Sequence, residues 1–234
     1  MNVLLVYARL YADCLRQAFN GVRKNLWTLL LPTGLNLAWL YLSALVAPLG
    51  IIGGFLVGLL MAALASCYLY FVSEIVSHSV VATAEFRRSF GAYFWSILNL
   101  FFVIWIVEML LGYTLGTSRN GSFIVLGLKL IALVLLSAAP ESIYLKGTYG
   151  GLATIQSSIA FVQEHWIEWL LPTVLLGAIW IALPNAFPYG TIGGLLSTLA
   201  QGMLLHVGML FRGHLFSALD RSTHRQRMFK YRSS

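Results

Sequence analysis

Charged residues are scarce in this chain. Only 10% of its 234 residues are charged, whereas 59% are hydrophobic, and the mean hydropathy is +0.81. A soluble domain would carry about 25% charged residues. The deficit predicts that most of the chain lies in a lipid bilayer, where charge is costly. The net charge of +7 therefore favours a membrane surface over nucleic acid as partner, because a nucleic-acid interface needs a folded soluble face with interleaved basic and aromatic residues.

Cysteine is also scarce, and motifs for catalysis are missing. Cys14 and Cys67 have no paired spacing, which excludes a disulfide framework and a thiolate metal site. The sequence contains no metalloprotease, nucleophile-elbow, phosphate-loop or dinucleotide-binding motif. We therefore expect no catalytic residue, no metal and no cofactor. Arg9, Asp13 and Arg16 interrupt the apolar run that a cleavable signal peptide requires, so the first helix is expected to be kept.

The chain contains an internal repeat. The segment 30–77 recurs without a gap as 170–217. Both copies begin with Leu-Leu-Pro-Thr, and both carry Pro-x-Gly-x-Ile-Gly-Gly between two apolar runs. Roughly a third of the aligned positions are identical, and the matched prolines and glycines keep their register. Each copy is long and apolar enough to cross a bilayer twice.

The apolar runs predict an all-α membrane protein with six transmembrane helices in three hairpins, of which the first and third are a tandem repeat. The bundle is expected over 26–220, with the repeat copies at about 26–80 and 166–220. Each predicted span is close to the roughly 20 residues that a crossing needs. The six predicted spans are 27–46, 51–77, 92–115, 122–139, 166–183 and 191–218.

Residues 1–25 predict an N-terminal amphipathic helix that is too polar to cross the membrane and lies flat in the interface. Its apolar residues recur at helical spacing: Val3, Tyr7, Leu10, Cys14, Ala18 and Val22. A second amphipathic stripe is predicted at 152–166, before the fifth span. Residues 140–142, Pro-Glu-Ser, indicate a helix start with Glu141 near the positive end of the helix dipole.

Basic residues predict the orientation. They precede the first span, occupy 87–88, occur at Lys146 and follow the last span in a basic tail at 221–234. The turns on the opposite side carry only Arg119. The positive-inside rule then places both termini and the tail in the cytoplasm, with the spans in the inner membrane of the cell.

Glu108 and Lys129 are the charges placed most clearly inside the membrane. They lie at similar distances from the turn at 116–121, on either side of it, and therefore at matching depth. A charge at the centre of a transmembrane helix costs roughly 2.5–3.5 kcal/mol, so we expect the two to pair. The pair either couples to transport or proton relay, or only sets the register of two helices.

His206 and His214 are the other intramembrane polar candidates, and they lie on nearly one face of the last span. They are either packing histidines or sites of protonation chemistry. A haem would require a second histidine at matching depth on another helix, and His78 fits that role poorly.

Small residues open the second and sixth spans and predict faces on which helices approach closely in lipid. These residues are Gly53, Gly54 and Gly58 in the first copy and Gly193 and Gly194 in the third. Such faces suit either static packing or a sliding gate.

Arg87 and Arg88 lie in a short basic and aromatic segment that contacts either anionic lipid or a cytoplasmic partner. The order Arg87-Arg88-Ser89-Phe90, followed by Trp95, resembles the lead-in to a span in several bacterial six-helix membrane families. With an interfacial first helix and six spans, the chain also resembles small transporter permeases served by a separate ATPase. Neither resemblance carries functional residues over.

The repeat, the small-residue faces and the basic segment at 87–88 favour a permease-like transport subunit that works in the bilayer with other membrane or membrane-associated proteins. The alternative is a non-catalytic scaffold or accessory subunit of a larger membrane complex. A third hypothesis is an intramembrane enzyme or cofactor carrier that uses His206 or Glu108. A water-accessible polar path to Glu108, Lys129 or His206 would favour transport, whereas a dry bundle with outward glycine faces would favour the scaffold.

Overall fold

A computed structural model describes residues 3–81, 86–115, 121–188, 190–222 and 226–227. Over these residues the chain is helical and contains no strand. The ten α-helices are α1 (Val3–Lys24), α2 (Leu31–Val46), α3 (Gly50–His78), α4 (Phe86–Ala92), α5 (Phe94–Leu115), α6 (Gly121–Leu135), α7 (Ala139–Lys146), α8 (Gly151–Glu164), α9 (Trp166–Ala182) and α10 (Thr191–Asp220).

Within the described residues, five helical stretches are long and apolar enough to cross a membrane. These stretches are Leu26–His78, Phe86–Leu115, Gly121–Lys146, Trp166–Ala186 and Thr191–Asp220. The chain is therefore an all-helical protein suited to a membrane, as its composition predicts. The spans predicted separately at 27–46 and 51–77 both fall within the first stretch, which holds α2 and α3.

The α2–α3 and α9–α10 pairs are each joined through a 3-10 turn that carries a proline. The first turn is Ala47–Leu49, and Gly50 follows it with φ +60°. The second is Leu183–Ala186, and Gly190 precedes α10 with φ +127°. Glycine adopts these positive φ values without the steric cost that a Cβ would add. The chain can therefore reverse sharply, and the helices of each pair pack against each other.

The two matched prolines of the repeat differ in their surroundings. Pro32 lies in the first turn of α2, after the 3-10 segment Leu26–Leu30, where its missing N–H costs no hydrogen bond. Pro172 lies inside the continuous helix α9. The two matched prolines therefore occupy different positions in their helices.

Burial increases along α3 and α10. The two helices have 29 and 30 residues. At 1.5 Å per residue each is about 45 Å long, whereas the hydrocarbon layer is about 30 Å thick. Gly53 is the one buried residue before Ala62 in α3, and most buried residues of α10 lie from His206 onward. The later parts of these helices pack among α1, α4, α7 and α8. We call this layer the collar: α1, α4, α7, α8, 67–78 of α3 and 207–220 of α10.

Tyrosine and serine hydroxyls help fasten α4 to α3. The hydroxyl of Ser66 donates to the carbonyl of Ser89 over 2.9 Å, and the backbone N–H of Tyr93 donates to the hydroxyl of Ser66 over 2.9 Å. The Tyr93 hydroxyl donates to that of Ser73 over 3.2 Å. These bonds hold α4 against the last turns of α3. As a result, α4 is part of the collar.

The first helix uses its apolar face differently from the prediction. Its stripe, with Leu10, Cys14 and Ala18 at 2% exposure or less, packs against α10 and other parts of the chain rather than against lipid. This face is therefore covered by the protein itself, and the position of the helix in the membrane interface stays a prediction. A second apolar stripe remains exposed at Leu5, Leu15 and Phe19, which are 41–54% exposed. Exposed Arg16 and Arg23 lie beside that stripe.

Candidate functional site

The structure brings Glu108 and Lys129 together. The Lys129 Nζ lies 2.9 Å from the Glu108 Oε1, and the two side chains are 49% (Glu108) and 53% (Lys129) exposed. Residues on both sides of the pair on α6 are also exposed, because α6 packs only against α5 and α8 among its larger described contacts. We call α5 and α6 the arm. The pair is an ion pair on the lateral surface of the arm rather than a group inside the bundle.

A second ion pair lies inside the protein, and the sequence argument missed it. The carboxylate of Glu141 is fully buried and receives Arg212 at two points: Nε to Oε1 at 3.1 Å and Nη2 to Oε2 at 3.1 Å. The guanidinium also donates to the carbonyl of Ser137 and lies 4.8 Å from the centre of the Trp169 ring. Glu141 does lie in the first turn of α7, as predicted, but its principal role is to bind Arg212.

Two unexplained charges within long apolar runs were the signal that could have found this pair. Arg212 lies on the predicted sixth span, and Glu141 follows directly after the predicted fourth. A buried charge requires a partner, so two isolated opposite charges near the same end of the bundle should have been paired. Their separation along the chain hid the contact.

Three buried polar atoms close to this pair have no hydrogen-bond partner within the described structure. They are the hydroxyls of Tyr68 and Tyr144 and the Nδ1 of His206. The other ring nitrogen of His206, Nε2, lies 2.9 Å from the Thr28 hydroxyl, and its ring centre lies 6.0 Å from that of Tyr68. The collar and the adjoining His206 therefore have hydrogen-bonding groups that no described side chain uses.

The two histidines predicted together do not share a site. His206 is fully buried beside Thr28, whereas His214 is half-buried and lines a cleft at the far end of the collar. His206 is in the middle of α10, which is about 45 Å long against about 30 Å for the hydrocarbon layer, so its place along the helix does not by itself give its depth in the bilayer. Exposure of Trp27, next to Thr28, fits a position at the membrane boundary.

Arg227 is the other buried cation. It belongs to the basic tail predicted at 221–234, but it is only 4% exposed. Its Nη2 lies 3.5 Å from the Glu168 Oε1, and its Nη1 donates to the carbonyls of Leu219, over 3.2 Å, and Ser222. Arg227 is therefore packed against the bundle, where the carboxylate of Glu168 on α9 and the carbonyls at the end of α10 bind it.

The first turn of α9 is surrounded by groups with shifted pKa values. Burial raises the pKa of Tyr11 to about 12, and its hydroxyl donates to the Glu168 carbonyl over 3.0 Å. Burial and the neighbouring Glu168 raise the pKa of Tyr7. Burial lowers the pKa of His165, with Arg227 as the next cause. At neutral pH both tyrosines stay protonated and His165 stays uncharged.

The predicted glycine faces are only partly in contact. A Cβ added at Gly53 or Gly193 would collide with the carbonyl of Val46 or Pro188, so these two glycines allow the tight reversals. Gly54, Gly58 and Gly194 have nothing within 4 Å of such a Cβ. They therefore make no close helix contact within the described structure, and their role in helix packing stays a prediction.

The close approaches lie elsewhere. A Cβ at Gly151 would lie 2.5 Å from the carbonyl oxygen of Asn99, where α8 crosses α5. One at Gly213 would lie 2.7 Å from the Tyr144 hydroxyl, where α10 meets α7. These glycines belong to the contacts that build the collar, not to the lipid-facing halves of the helices.

Arg87 and Arg88 are both exposed on α4, while the adjacent Ser89 is buried and fastens the helix. The arginines are thus available to lipid or to a partner. Other predicted basic positions lie outside the described residues: Arg119, Arg225, Lys230 and Arg232.

An open cleft of about 830 Å³ lies at the end of the collar, which we call the basic cleft. The ends of α1, α3, α7 and α10 form its walls, with residues 226–227 at one side. Lys24, Arg221 and Arg227 line it together with His214, and none of the Asp or Glu residues that the structure describes lines it. Its chemistry is therefore that of a hydrogen-bonding, cationic pocket.

Among the residues described, no group of three or more His, Cys, Asp or Glu could hold a metal ion. Comparisons with protein-family models, curated proteins and solved structures found no match to this chain. The site must therefore be interpreted from its own geometry.

Proposed function

We propose that this chain is an integral, non-catalytic accessory or scaffold subunit of a larger membrane assembly, and that its arm is the surface on which the other subunits pack. The observation that carries the proposal is the half-exposed Glu108–Lys129 pair on the lateral face of the arm. Gly54, Gly58 and Gly194, which face open space, support the same reading, because small residues let a second helix approach closely in lipid.

The ion pair of Glu108 and Lys129 is poorly solvated where it lies. Both charged residues lie about 12 Å along their helices from the turn that joins them, which is close to the middle of a hydrocarbon layer about 30 Å thick. An ion pair exposed to hydrocarbon there lacks both water and further hydrogen-bond partners, so it remains costly even when paired. A neighbouring transmembrane helix with polar side chains would supply those partners.

Crosslinking tests this proposal. A photoactivatable residue at Leu133, exposed on α6, is compared with one at Leu175, exposed on α9 away from the arm. We expect a protein adduct of defined mass in native membranes from Leu133, lost when Glu108→Gln and Lys129→Gln are combined, and lipid adducts alone from Leu175. Lipid adducts alone from both positions would refute the proposal, and the adduct's mass distinguishes a second copy from another protein.

The second candidate is the permease-like transport subunit. It is favoured by the unpartnered buried hydroxyls of Tyr68 and Tyr144 and by the Nδ1 of His206, because such atoms are places where water or a polar substrate would bind. Reconstituted vesicles would swell or leak a permeant solute if transport is the function. His206→Phe should then abolish that flux, whereas the scaffold function predicts no flux before or after the change.

We also propose the finer topology: six crossings of the inner membrane in three hairpins, the first and third a duplicated unit, with both termini cytoplasmic. Matching lengths support the duplication, since α2 and α9 have 16 and 17 residues and α3 and α10 have 29 and 30. Three exposed tryptophans at the starts of outward spans fit one interfacial belt. These are Trp27, Trp95 and Trp166.

Cysteine labelling tests this topology. Cys14 and Cys67 are buried, so both can be replaced by serine, and single cysteines can then be labelled in that background. A cysteine at Leu49 should react with an impermeant thiol reagent from the outside of intact cells, and one at Ser222 only after permeabilisation. The opposite pattern, or equal reaction at both positions, would refute the proposed orientation.

A further inference from the structure

The basic cleft is a binding site in its own right. We propose that it binds a small water-soluble phosphate ester, with Lys24 and Arg221 holding the phosphate. Apart from these two and Arg227, the polar residues that line it are hydrogen-bonding groups without negative charge, among them Gln17, Asn20, Ser77 and Ser217. Cations and neutral donors without a carboxylate form the combination that favours phosphate.

The two cations are available to a ligand. The side chains of Lys24 and Arg221 make no hydrogen bond or ion pair with the described residues, and both residues are exposed at the cleft. Arg227 differs, because Glu168 and two backbone carbonyls already bind it. It is therefore a wall of the cleft rather than a phosphate ligand.

Nearby carboxylates do not neutralise these cations. The Asp220 carboxylate lies 2.7 Å from the Lys146 Nζ, and the Glu74 carboxylate lies 3.0 Å from the His78 Nδ1. Each acid near the cleft thus has its own partner. The positive charge of Lys24 and Arg221 is left for an anion.

Helix ends do not cancel the charge either. α1, α3 and α10 all end at the cleft, and the last carbonyls of a helix carry partial negative charge. However, the Asn25 side-chain amide donates to the carbonyls of Gly21 and Ser79, each over 2.9 Å, and the backbone N–H of Arg221 donates to the Ser217 carbonyl over 3.3 Å. These bonds engage one carbonyl at or next to the end of each of these three helices, and the side chains of Lys24 and Arg221 bond to none of the described carbonyls.

The depth of the cleft indicates a ligand from water rather than a lipid headgroup. His206, which contacts Thr28 beside the exposed Trp27, marks the membrane boundary on α10. Ser217 lies about 16 Å further along the helix at 1.5 Å per residue, whereas the headgroup layer is only about 5–8 Å thick. A lipid phosphate would have to leave its layer to reach the cleft.

An organic group is expected on the phosphate because part of the cleft is apolar. Leu10, Ile75 and Leu145 belong to the lining. The volume of about 830 Å³ also exceeds the need of a single phosphate and lies within the range of small-molecule sites. Polar groups would then hold the phosphate while the apolar side chains contact the rest of the molecule.

The test uses the full chain in nanodiscs of neutral phosphatidylcholine. Inorganic phosphate, inorganic pyrophosphate and glycerol 3-phosphate are titrated in turn, and binding is measured by calorimetry and by broadening of the phosphorus-31 resonance. Lys24→Gln combined with Arg221→Gln is compared with Arg16→Gln combined with Arg23→Gln. The control pair removes the same charge from exposed positions on α1 that do not line the cleft.

We expect at least one soluble phosphate to bind, and the cleft variant to weaken that binding by about tenfold for each cation removed, as the loss of a charge-assisted hydrogen bond predicts. The control should change it by less than about twofold. Equal weakening in both variants would overturn the proposal, because it would show a general charge effect. Absence of binding by all three probes would also overturn it.

A lipid-binding assay tests whether the cleft binds a lipid headgroup instead. The same variants are assayed for retention of phosphatidylglycerol by native mass spectrometry. Retention that depends on Lys24 and Arg221 without binding of any soluble phosphate would assign the cleft to a headgroup and overturn the inference. If the double variant does not fold, as judged by its thermal unfolding midpoint, the two single variants replace it with an expected tenfold effect each.

Discussion

Replacing Glu141 with alanine is the most informative single change in this protein. The carboxylate is fully buried and touches Arg212 at two points, each 3.1 Å long. Removing it leaves a guanidinium that is 17% exposed, with the Ser137 carbonyl and the Trp169 ring as its remaining partners. Breaking one side of a buried ion pair costs about 3–5 kcal/mol. We expect about 3 kcal/mol, because those two partners still stabilise the cation.

The free energy of unfolding can be measured by denaturant titration in detergent micelles, with tryptophan fluorescence as the signal. Combining Glu141→Leu with Arg212→Met should cost less than Glu141→Ala alone, since no charge is then left buried without a partner. Glu164→Ala is the control, because its side chain is 75% exposed and its loss should stay within about 0.5 kcal/mol. Additive losses in the double variant, or a loss near zero for Glu141→Ala, would refute the reasoning.

Two further predictions concern the collar. Gly151→Ala should destabilise the protein, because the new Cβ would lie 2.5 Å from a backbone oxygen of α5. Gly177→Ala has open space around it, so its free energy of unfolding should rise by about 0.5–1 kcal/mol through helix propensity. Equal midpoints of thermal unfolding for the two variants would contradict this. Burial lowers the pKa of His165, so the unfolded chain, in which it titrates near pH 6.5, takes up the proton first. The contribution of neutral His165 to the free energy of unfolding is thus complete above about pH 6.5 and decreases below that pH. A difference in unfolding midpoint between the protein and His165→Gln that stays constant between about pH 8 and 5 would contradict this prediction.

The sequence located the helices well where the signal was local. A helix predicted at 51–77 is found as Gly50–His78, and one predicted at 191–218 as Thr191–Asp220. Apolar runs, prolines and positive-φ glycines act over a few residues, so they can be read along the chain. The pairing of Glu108 with Lys129 was also accessible, because both lie close to the turn that joins α5 and α6.

Long-range contacts were not accessible in this way. The helical period of α1 revealed an apolar stripe around Leu10 and Cys14, but nothing in that period says whether lipid or α10 covers it. The same holds for Gly54 and Gly58, whose small size allows close packing without naming a neighbour. The residue types of a helix face indicate what kind of surface it can contact. Which helix or lipid actually contacts it depends on how helices distant in the sequence cross.

By itself, the sequence determined that this chain is helical, that it belongs in a membrane, and where helices such as α3 and α10 begin and end. Tertiary structure alone decided that Glu141 meets Arg212, that Arg227 is buried against Glu168, and that Lys24 and Arg221 share a cleft. The physical reason is that hydrophobicity and turn chemistry act between neighbours in the chain, whereas ion pairs and cavities form between residues that only packing brings together.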